Sequence, residues 1–155
     1  MSSHACMKTL NLACVAVVLA AVLPACGKSK VEQCNAFVDR ATQSQKIING
    51  LKLESEDVAE LEKGAAAIEA EAKAFESLEL KDEKLVGFRS QYGATLGALG
   101  KIMRDLVALQ KDAKDPAKAA ALEAQTKAID AEADKVEKQE SDVVDQVNVY
   151  CTGSK

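Results

Sequence analysis

The chain has 155 residues, and its 20 Lys and Arg against 24 Asp and Glu give a formal net charge of −4 at pH 7. The lack of a basic excess argues against nucleic acid as a partner, because binding to phosphates depends on clustered Lys and Arg. The single histidine is His4, close to the amino terminus, so we expect a protein that is not an enzyme and holds no metal or other cofactor.

The first 25 residues have the features of a secretory signal peptide. Lys8 is their only charged side chain, and an apolar run follows from Leu10 to Leu23. That run is too short to span a bilayer as a helix, which takes about 20 apolar residues. A positive start, an apolar stretch and small residues at the exit are typical of a signal that is removed during export.

The apolar run ends at residues 23–26, which read Leu-Pro-Ala-Cys. This motif resembles the lipobox of bacterial lipoprotein precursors, in which a leucine and two small residues precede a cysteine. Pro24 departs from the small residue that is usual at its place. The resemblance implies that the thiol of Cys26 takes a diacylglyceryl group and that the new amino terminus is often acylated as well. An ordinary cleaved signal that contains Cys26 by chance is the alternative.

On this resemblance we expect a cleaved lipoprotein signal peptide at residues 1–25 and a lipidated tether at residues 26–30. The covalent lipid on Cys26, with acyl groups such as palmitate, would attach the protein to the membrane. Gly27 stands where an Asp favours retention in the inner membrane. The resemblance therefore implies the periplasmic face of the outer membrane more than the inner membrane.

The rest of the chain is rich in Ala, Glu, Lys and Leu, a composition typical of long helices. Apolar residues recur at spacings of three and four in four segments, at about 31–48, 58–75, 85–109 and 122–150. With short connections, this pattern predicts an all-α domain, an antiparallel up-down-up-down four-helix bundle over residues 31–151. Residues 152–155 would form a short C-terminal tail. An elongated helical coiled-coil hairpin is the alternative.

Capping residues support these boundaries. Ser29 and Glu32 have the spacing of a capping box, and Gly50 can end the first helix in the left-handed conformation. The N-caps of the later helices are predicted at Ser55, Asp82 and Asp115.

Two expectations concern the shape of the bundle. The core stripe of the first helix is predicted to include Val31 and Val38. The third and fourth helices are about ten residues longer than the first two. At 1.5 Å per residue, their connection at residues 111–118 is predicted to extend beyond the first hairpin.

Two cysteines, Cys34 and Cys151, lie near the start of the first helix and the end of the fourth. These ends are neighbours in an up-down-up-down bundle, and an exported protein meets an oxidising compartment, so a disulfide is predicted. Two buried thiols or a redox pair are the alternatives, and a redox pair is disfavoured because neither cysteine belongs to a Cys-x-x-Cys motif.

A disulfide between these residues would bring Gln45 and Glu140, which interrupt the apolar series of their helices, to the same level. We therefore predict that Gln45 and Glu140 face each other as a polar layer in the core, which could fix the register of the helices. The alternative is that Glu140 only extends to the surface.

A possible partner surface is a strip of small residues on the third helix. Gly93, Gly97 and Gly100 are predicted to lie on one face, roughly opposite the core stripe. Each glycine costs up to about 1 kcal/mol in a helix relative to alanine. A smooth strip would allow another helix to approach closely, and the alternative is that the glycines are merely tolerated.

These features predict a membrane-anchored envelope lipoprotein that acts as a non-catalytic structural or protein-interaction module, with an envelope protein as its partner. The alternative is a lipoprotein that binds or senses a small apolar ligand between its helices. Alanines along the predicted seams favour close packing over a cavity, and so favour the first function: Ala41, Ala65, Ala72 and Ala133.

Overall fold

The structure is a computed structural model that describes residues 28–51, 55, 57–113, 115 and 118–153. The predicted signal peptide at residues 1–25, the predicted lipidation site Cys26 and the last two residues lie outside the described part of the chain. Four α-helices follow one another: α1 Lys30–Asn49, α2 Val58–Glu76, α3 Glu83–Asp112 and α4 Ala119–Thr152. Within the described residues there are no strands. The prediction of an all-α fold is confirmed.

Contacts between the helices show the antiparallel up-down-up-down order. The ring of Phe37 in α1 packs on that of Phe75 near the end of α2. Glu62, in the second turn of α2, pairs with Lys111 at the end of α3. Tyr150 near the end of α4 donates to Asp82 at the start of α3, and Tyr92 farther along α3 donates to Glu140 farther back in α4, so these two helices also run in opposite directions. The four helices form a four-helix bundle rather than a coiled-coil hairpin.

The helix ends agree only partly with the predicted caps. The capping box of Ser29 and Glu32 is present, and Asp82 caps α3 through the backbone N–H of Leu85. The cap of α2 is Asp57, two residues after the predicted Ser55. Gly50 ends α1 with a right-handed φ of −85°, so the expected left-handed glycine was wrong there.

The start of α4 also differs from its prediction. The helix begins after Lys118, which makes no side-chain capping bond, instead of after Asp115. At its other end Gly153 adopts a φ of 70°, where the absence of a Cβ removes the steric penalty. The left-handed glycine that ends a helix is thus found on α4 and not on α1.

The core includes two apolar clusters. The larger one takes side chains from all four helices: Phe37, Ala72, Phe75, Tyr92, Leu96, Val143 and Val147. The smaller one takes its buried side chains from α2 and α3 alone: Leu61, Ala65, Met103 and Val107. Burying a large apolar side chain stabilises the fold by about 1.5–3 kcal/mol. All four helices therefore contribute buried side chains near the Cys34–Cys151 end, whereas only α2 and α3 supply those of the cluster towards the other end.

The prediction that Val31 and Val38 belong to the core stripe of α1 is wrong. Val31 and Val38 are 66% and 42% exposed, whereas Phe37 is buried. Phenylalanine removes more apolar area from water than valine does, so α1 turns to place Phe37 in the core.

The predicted helix lengths are close to those observed, at 20, 19, 30 and 34 residues. The predicted projection of the second hairpin is wrong, because Glu62 of α2 reaches Lys111 in the last turn of α3. Only α1 stops short of this end. As a result, none of the residues at positions 121–135 of α4, all of which the structure describes, is fully buried.

Candidate functional site: the groove between the first and last helices

The candidate site is a groove between α1 and α4, and it lies beside the predicted disulfide. The sulfur atoms of Cys34 and Cys151 are at bonding distance, with their Cα atoms 5.8 Å apart. This pairing confirms the prediction that the two cysteines meet. It holds α1 against α4 at the end of the bundle where the described chain begins.

The floor of the groove is formed by the rings of Phe37 and Tyr92, which both pack against the ring of Phe75. The centroids of Phe75 and Tyr92 lie 4.6 Å apart, and Phe37 packs edge-on against Phe75 at 5.1 Å. Edge-to-face aromatic contacts add about 0.5–1.5 kcal/mol beyond the area that they bury. The floor is therefore a rigid apolar surface.

The groove itself opens between α1 and α4 and has a volume of about 190 Å³. Its apolar lining comes from six residues: Phe37, Val38, Ala41, Tyr92, Val144 and Val147. Exposed polar side chains complete it: Thr42, Gln45 and Asn148. Val38 is one of three large apolar residues that are exposed among the described residues. An apolar group with a polar edge is the chemistry that this groove fits.

The predicted polar layer is not formed as expected. Gln45 is exposed and its amide lies 3.5 Å from Asn49, so Gln45 is not in the core. Glu140 accepts a hydrogen bond from the hydroxyl of Tyr92 at 3.1 Å. Burial, together with the nearby Glu140 carboxylate, raises the pKa of Tyr92 well above its usual range, so this hydroxyl stays protonated as the donor. Glu140 satisfies a buried tyrosine instead of meeting Gln45.

The buried polar contact of the bundle lies instead between α1 and α2. Glu71 is 5% exposed and pairs with the guanidinium of Arg40. The hydroxyl of Ser44 donates to the same carboxylate at 2.7 Å. A buried carboxylate needs such partners, because an unpaired charge in the core is costly. This cluster positions α1 against α2. In the sequence, the one sign of a buried polar contact is Ser44, a polar residue seven positions after Phe37 and therefore on the same face of α1.

The predicted glycine strip is wrong as a partner surface, because two of its three residues face α2. A Cβ added at Gly93 would lie 3.1 Å from Glu76, and one added at Gly100 would lie 3.1 Å from Glu69. Only Gly97 is exposed, with nothing within 4 Å. The glycines at positions 93 and 100 thus allow α2 and α3 to approach each other closely.

Leucine substitutions distinguish these two environments. Gly100→Leu is expected to lower the free energy of unfolding by roughly 1–3 kcal/mol, because the side chain must displace α2. Gly97→Leu is the matched control and should be neutral or stabilising by up to about 1 kcal/mol, since leucine is the better helix former. Denaturant unfolding of both variants measures the difference, and equal effects would contradict the assignment of the two faces.

The described residues contain no group of three or more His, Cys, Asp and Glu side chains placed to hold a metal ion. Of the four helices, none combines the length and apolarity needed to cross a membrane. Comparisons with known protein families, with curated proteins and with solved structures find no match for this chain. The function is therefore argued from the residues and their geometry.

Proposed function

We propose that this protein is a lipid-anchored lipoprotein of the bacterial cell envelope that acts as a non-catalytic structural or protein-interaction module. The observation that carries the proposal is the short distance along the chain between the lipobox cysteine and the bundle. Cys26 precedes Lys30, the first residue of α1, by four positions. A lipid on Cys26 would hold a folded bundle directly at the membrane.

The two or three acyl chains of such an anchor give stable attachment, because each buried methylene contributes about 0.8 kcal/mol and one chain alone is marginal. Gly27 in place of Asp supports the outer membrane, on its periplasmic face, as the location. Pairing of Cys34 with Cys151 supports an oxidising compartment such as the periplasm.

The groove between α1 and α4 supports a protein partner. Ligand pockets for small molecules usually measure about 300–1,000 Å³, and this groove is smaller, at about 190 Å³. It is open to solvent along Val38, which is 42% exposed. An apolar side chain from a partner helix fits such a groove, as in helix-in-groove recognition.

Photo-crosslinking tests the partner role. A benzophenone side chain placed at Val38 in membranes that carry the anchored protein should give one discrete adduct. The matched control is Val149, which is 56% exposed but does not line the groove. Protein adducts from both positions, or from neither, would contradict a partner seated in the groove.

A second candidate function is the binding of a small apolar ligand in the same groove. The apolar lining over the rings of Phe37 and Tyr92 is the observation that favours it. Thermal unfolding with fatty acids and hydrophobic dyes separates the two functions. A protein-interaction module should show no shift in melting temperature. A ligand-dependent rise that is lost in Ala41→Leu, which fills the groove, would favour the second function.

A further inference from the structure

The first helix ends on an Asn-Gly pair. Asn49 is the last residue of α1, and Gly50 follows it as the C-cap. Both residues are exposed to solvent. This is the one Asn-Gly pair in the chain, because the other three asparagines precede Leu12, Ala36 and Val149. The pair therefore joins a reactive sequence to the accessible end of a helix.

An asparagine in this position can react with the backbone that follows it. When a base removes the amide proton of Gly50, the nitrogen attacks Cγ of Asn49, a C–N bond forms and the side-chain nitrogen leaves as ammonia. The product is a five-membered succinimide. Water opens this ring at either carbonyl and leaves aspartate or isoaspartate, so the net change is one amide and one water converted to a carboxylic acid and ammonia. Glycine favours the attack because it has no Cβ to shield its nitrogen.

The bonds that oppose this reaction are the last ones of the helix. The N–H of Gly50 donates to the carbonyls of Lys46 and Ile47 at 3.2 and 3.0 Å, and that of Leu51 donates to Ile48 at 3.0 Å. The attack needs a rotation about the Cα–C bond of Asn49, which breaks these three bonds. Only the terminal turn of α1 has to open, and helix ends fray at a free energy close to zero.

The side chain of Asn49 is held weakly. The amide nitrogen of Gln45 lies 3.5 Å from its oxygen Oδ1, which is longer than an ordinary hydrogen bond. The carboxamide can therefore rotate towards the backbone when the last turn opens.

Asn148 provides a comparison within the same chain. It is also exposed, but it lies inside α4, where its carbonyl accepts from the hydroxyl of Thr152 at 2.8 Å. The β-branched Val149 follows it and crowds the attacking nitrogen. Cys151, three positions further on, is bonded to Cys34 and holds this turn in place. Exposure alone is thus shared by the two asparagines, whereas the glycine and the free helix end belong to Asn49.

We propose that Asn49 is a site of spontaneous deamidation, at which the end of α1 is converted to aspartate and isoaspartate through a succinimide formed with Gly50. Water is the only co-reactant. The reaction does not depend on a lipid at Cys26 or on a partner in the groove, so it goes beyond the proposed function.

The modification should loosen the end of α1. A new carboxylate there meets the partial negative charge of the helix C-terminus, which is unfavourable. Isoaspartate also lengthens the main chain between Asn49 and Gly50, so that Gly50 no longer caps the helix in register. The next residue, Leu51, packs on the apolar cluster that contains Leu61 and Ala65. This contact between α1 and α2 is therefore the first that deamidation should weaken.

Peptide mapping by liquid chromatography and mass spectrometry tests the proposal. The purified oxidised protein is incubated for days at mildly alkaline pH below its melting temperature, then reduced, alkylated and digested with trypsin. Residues 47–52 carry Asn49, and residues 139–155 carry Asn148. Asn49 should convert at least about tenfold faster than Asn148, which corresponds to a difference of about 1.4 kcal/mol in activation free energy. Isoaspartate and aspartate should both appear as separate peaks.

Gly50→Ala is the matched variant. A Cβ at this position would lie 3.4 Å from the carbonyl oxygens of Ile47 and Lys46, an ordinary contact, and the φ of −85° suits alanine. The variant should therefore fold like the wild type, which circular dichroism checks, and should deamidate about tenfold more slowly because the methyl group shields the nitrogen.

Three results would overturn the proposal. Equal rates at Asn49 and Asn148 would show that the end of α1 is not a preferred site. Aspartate without isoaspartate would mean direct hydrolysis of the side chain instead of cyclisation. An unchanged rate in Gly50→Ala would remove Gly50 from the reaction.

Discussion

Replacing Cys26 with serine should move the protein from the membrane fraction to the soluble fraction of the envelope. The serine hydroxyl cannot form the thioether that carries the diacylglyceryl group, and the described helices offer no membrane-spanning alternative. The acyl chains supply the membrane attachment in this proposal, so their loss should release the protein. Fractionation of cells, followed by immunoblotting of the pellet and the supernatant, measures the change.

The control for this prediction is Ser44→Ala, which changes a residue of the bundle and leaves the lipobox and the disulfide intact. It should stay in the membrane fraction like the wild type. If the Cys26→Ser protein still sedimented with membranes after a high-salt wash, the lipid anchor would not be the cause of attachment.

Loss of the disulfide should give the largest change in stability. Cys34 and Cys151 are separated by 117 positions, and closing a loop of this length is worth about 4–5 kcal/mol in the chain-entropy model. The double variant Cys34→Ser, Cys151→Ser should therefore lose roughly 4 kcal/mol of unfolding free energy. Denaturant unfolding followed by circular dichroism measures the loss.

The first helix should be the part of the bundle most affected. Only four of its residues are buried, and Phe37 is the one large apolar side chain among them. Without the bond, α1 keeps the contact of Arg40 and Ser44 with Glu71 but is no longer held to α4. Hydrogen exchange should therefore accelerate in α1 before the other helices. Reduced wild-type protein is the control, and a wild type that is insensitive to reduction would contradict the prediction.

The large features of the fold could be predicted because each depends on a local or periodic signal. The repeat of apolar residues gave the four helices and their approximate lengths. The cysteine pairing followed from topology and from the expected export, because antiparallel order brings the start of the first helix to the end of the last and an oxidising compartment allows the bond. The capping box at Ser29 and Glu32 was also local, since both partners lie within one helical turn.

Features that depend on how the helices rotate could not be predicted. Gly93 and Gly100 flank the core stripe of α3, and their burial depends on the side from which α2 approaches. Likewise, Val38 and Phe37 are adjacent in sequence, and only packing against Phe75 and Tyr92 decides which of them is buried. The spacing of apolar residues locates the buried face of a helix only to within about one residue.

Partners of buried polar groups were missed for a related reason. Gln45 and Glu140 were paired because both interrupt an apolar series, but a buried hydroxyl on α3 takes the Glu140 carboxylate. The contact between Glu71 and Ser44 joins residues 27 positions apart. No local pattern marks such a pair, because each residue alone is an ordinary polar residue of a helix.

The intact mass of the protein extracted from envelopes, with and without reduction before alkylation, tests the lipid anchor and the disulfide together. We expect a chain that begins at Cys26, heavier than its sequence by the acyl groups, and that gains two alkyl adducts only after reduction. A chain without added lipid mass would contradict the anchor. Alkylation of Cys34 and Cys151 without reduction would contradict the bond that holds α1 to α4.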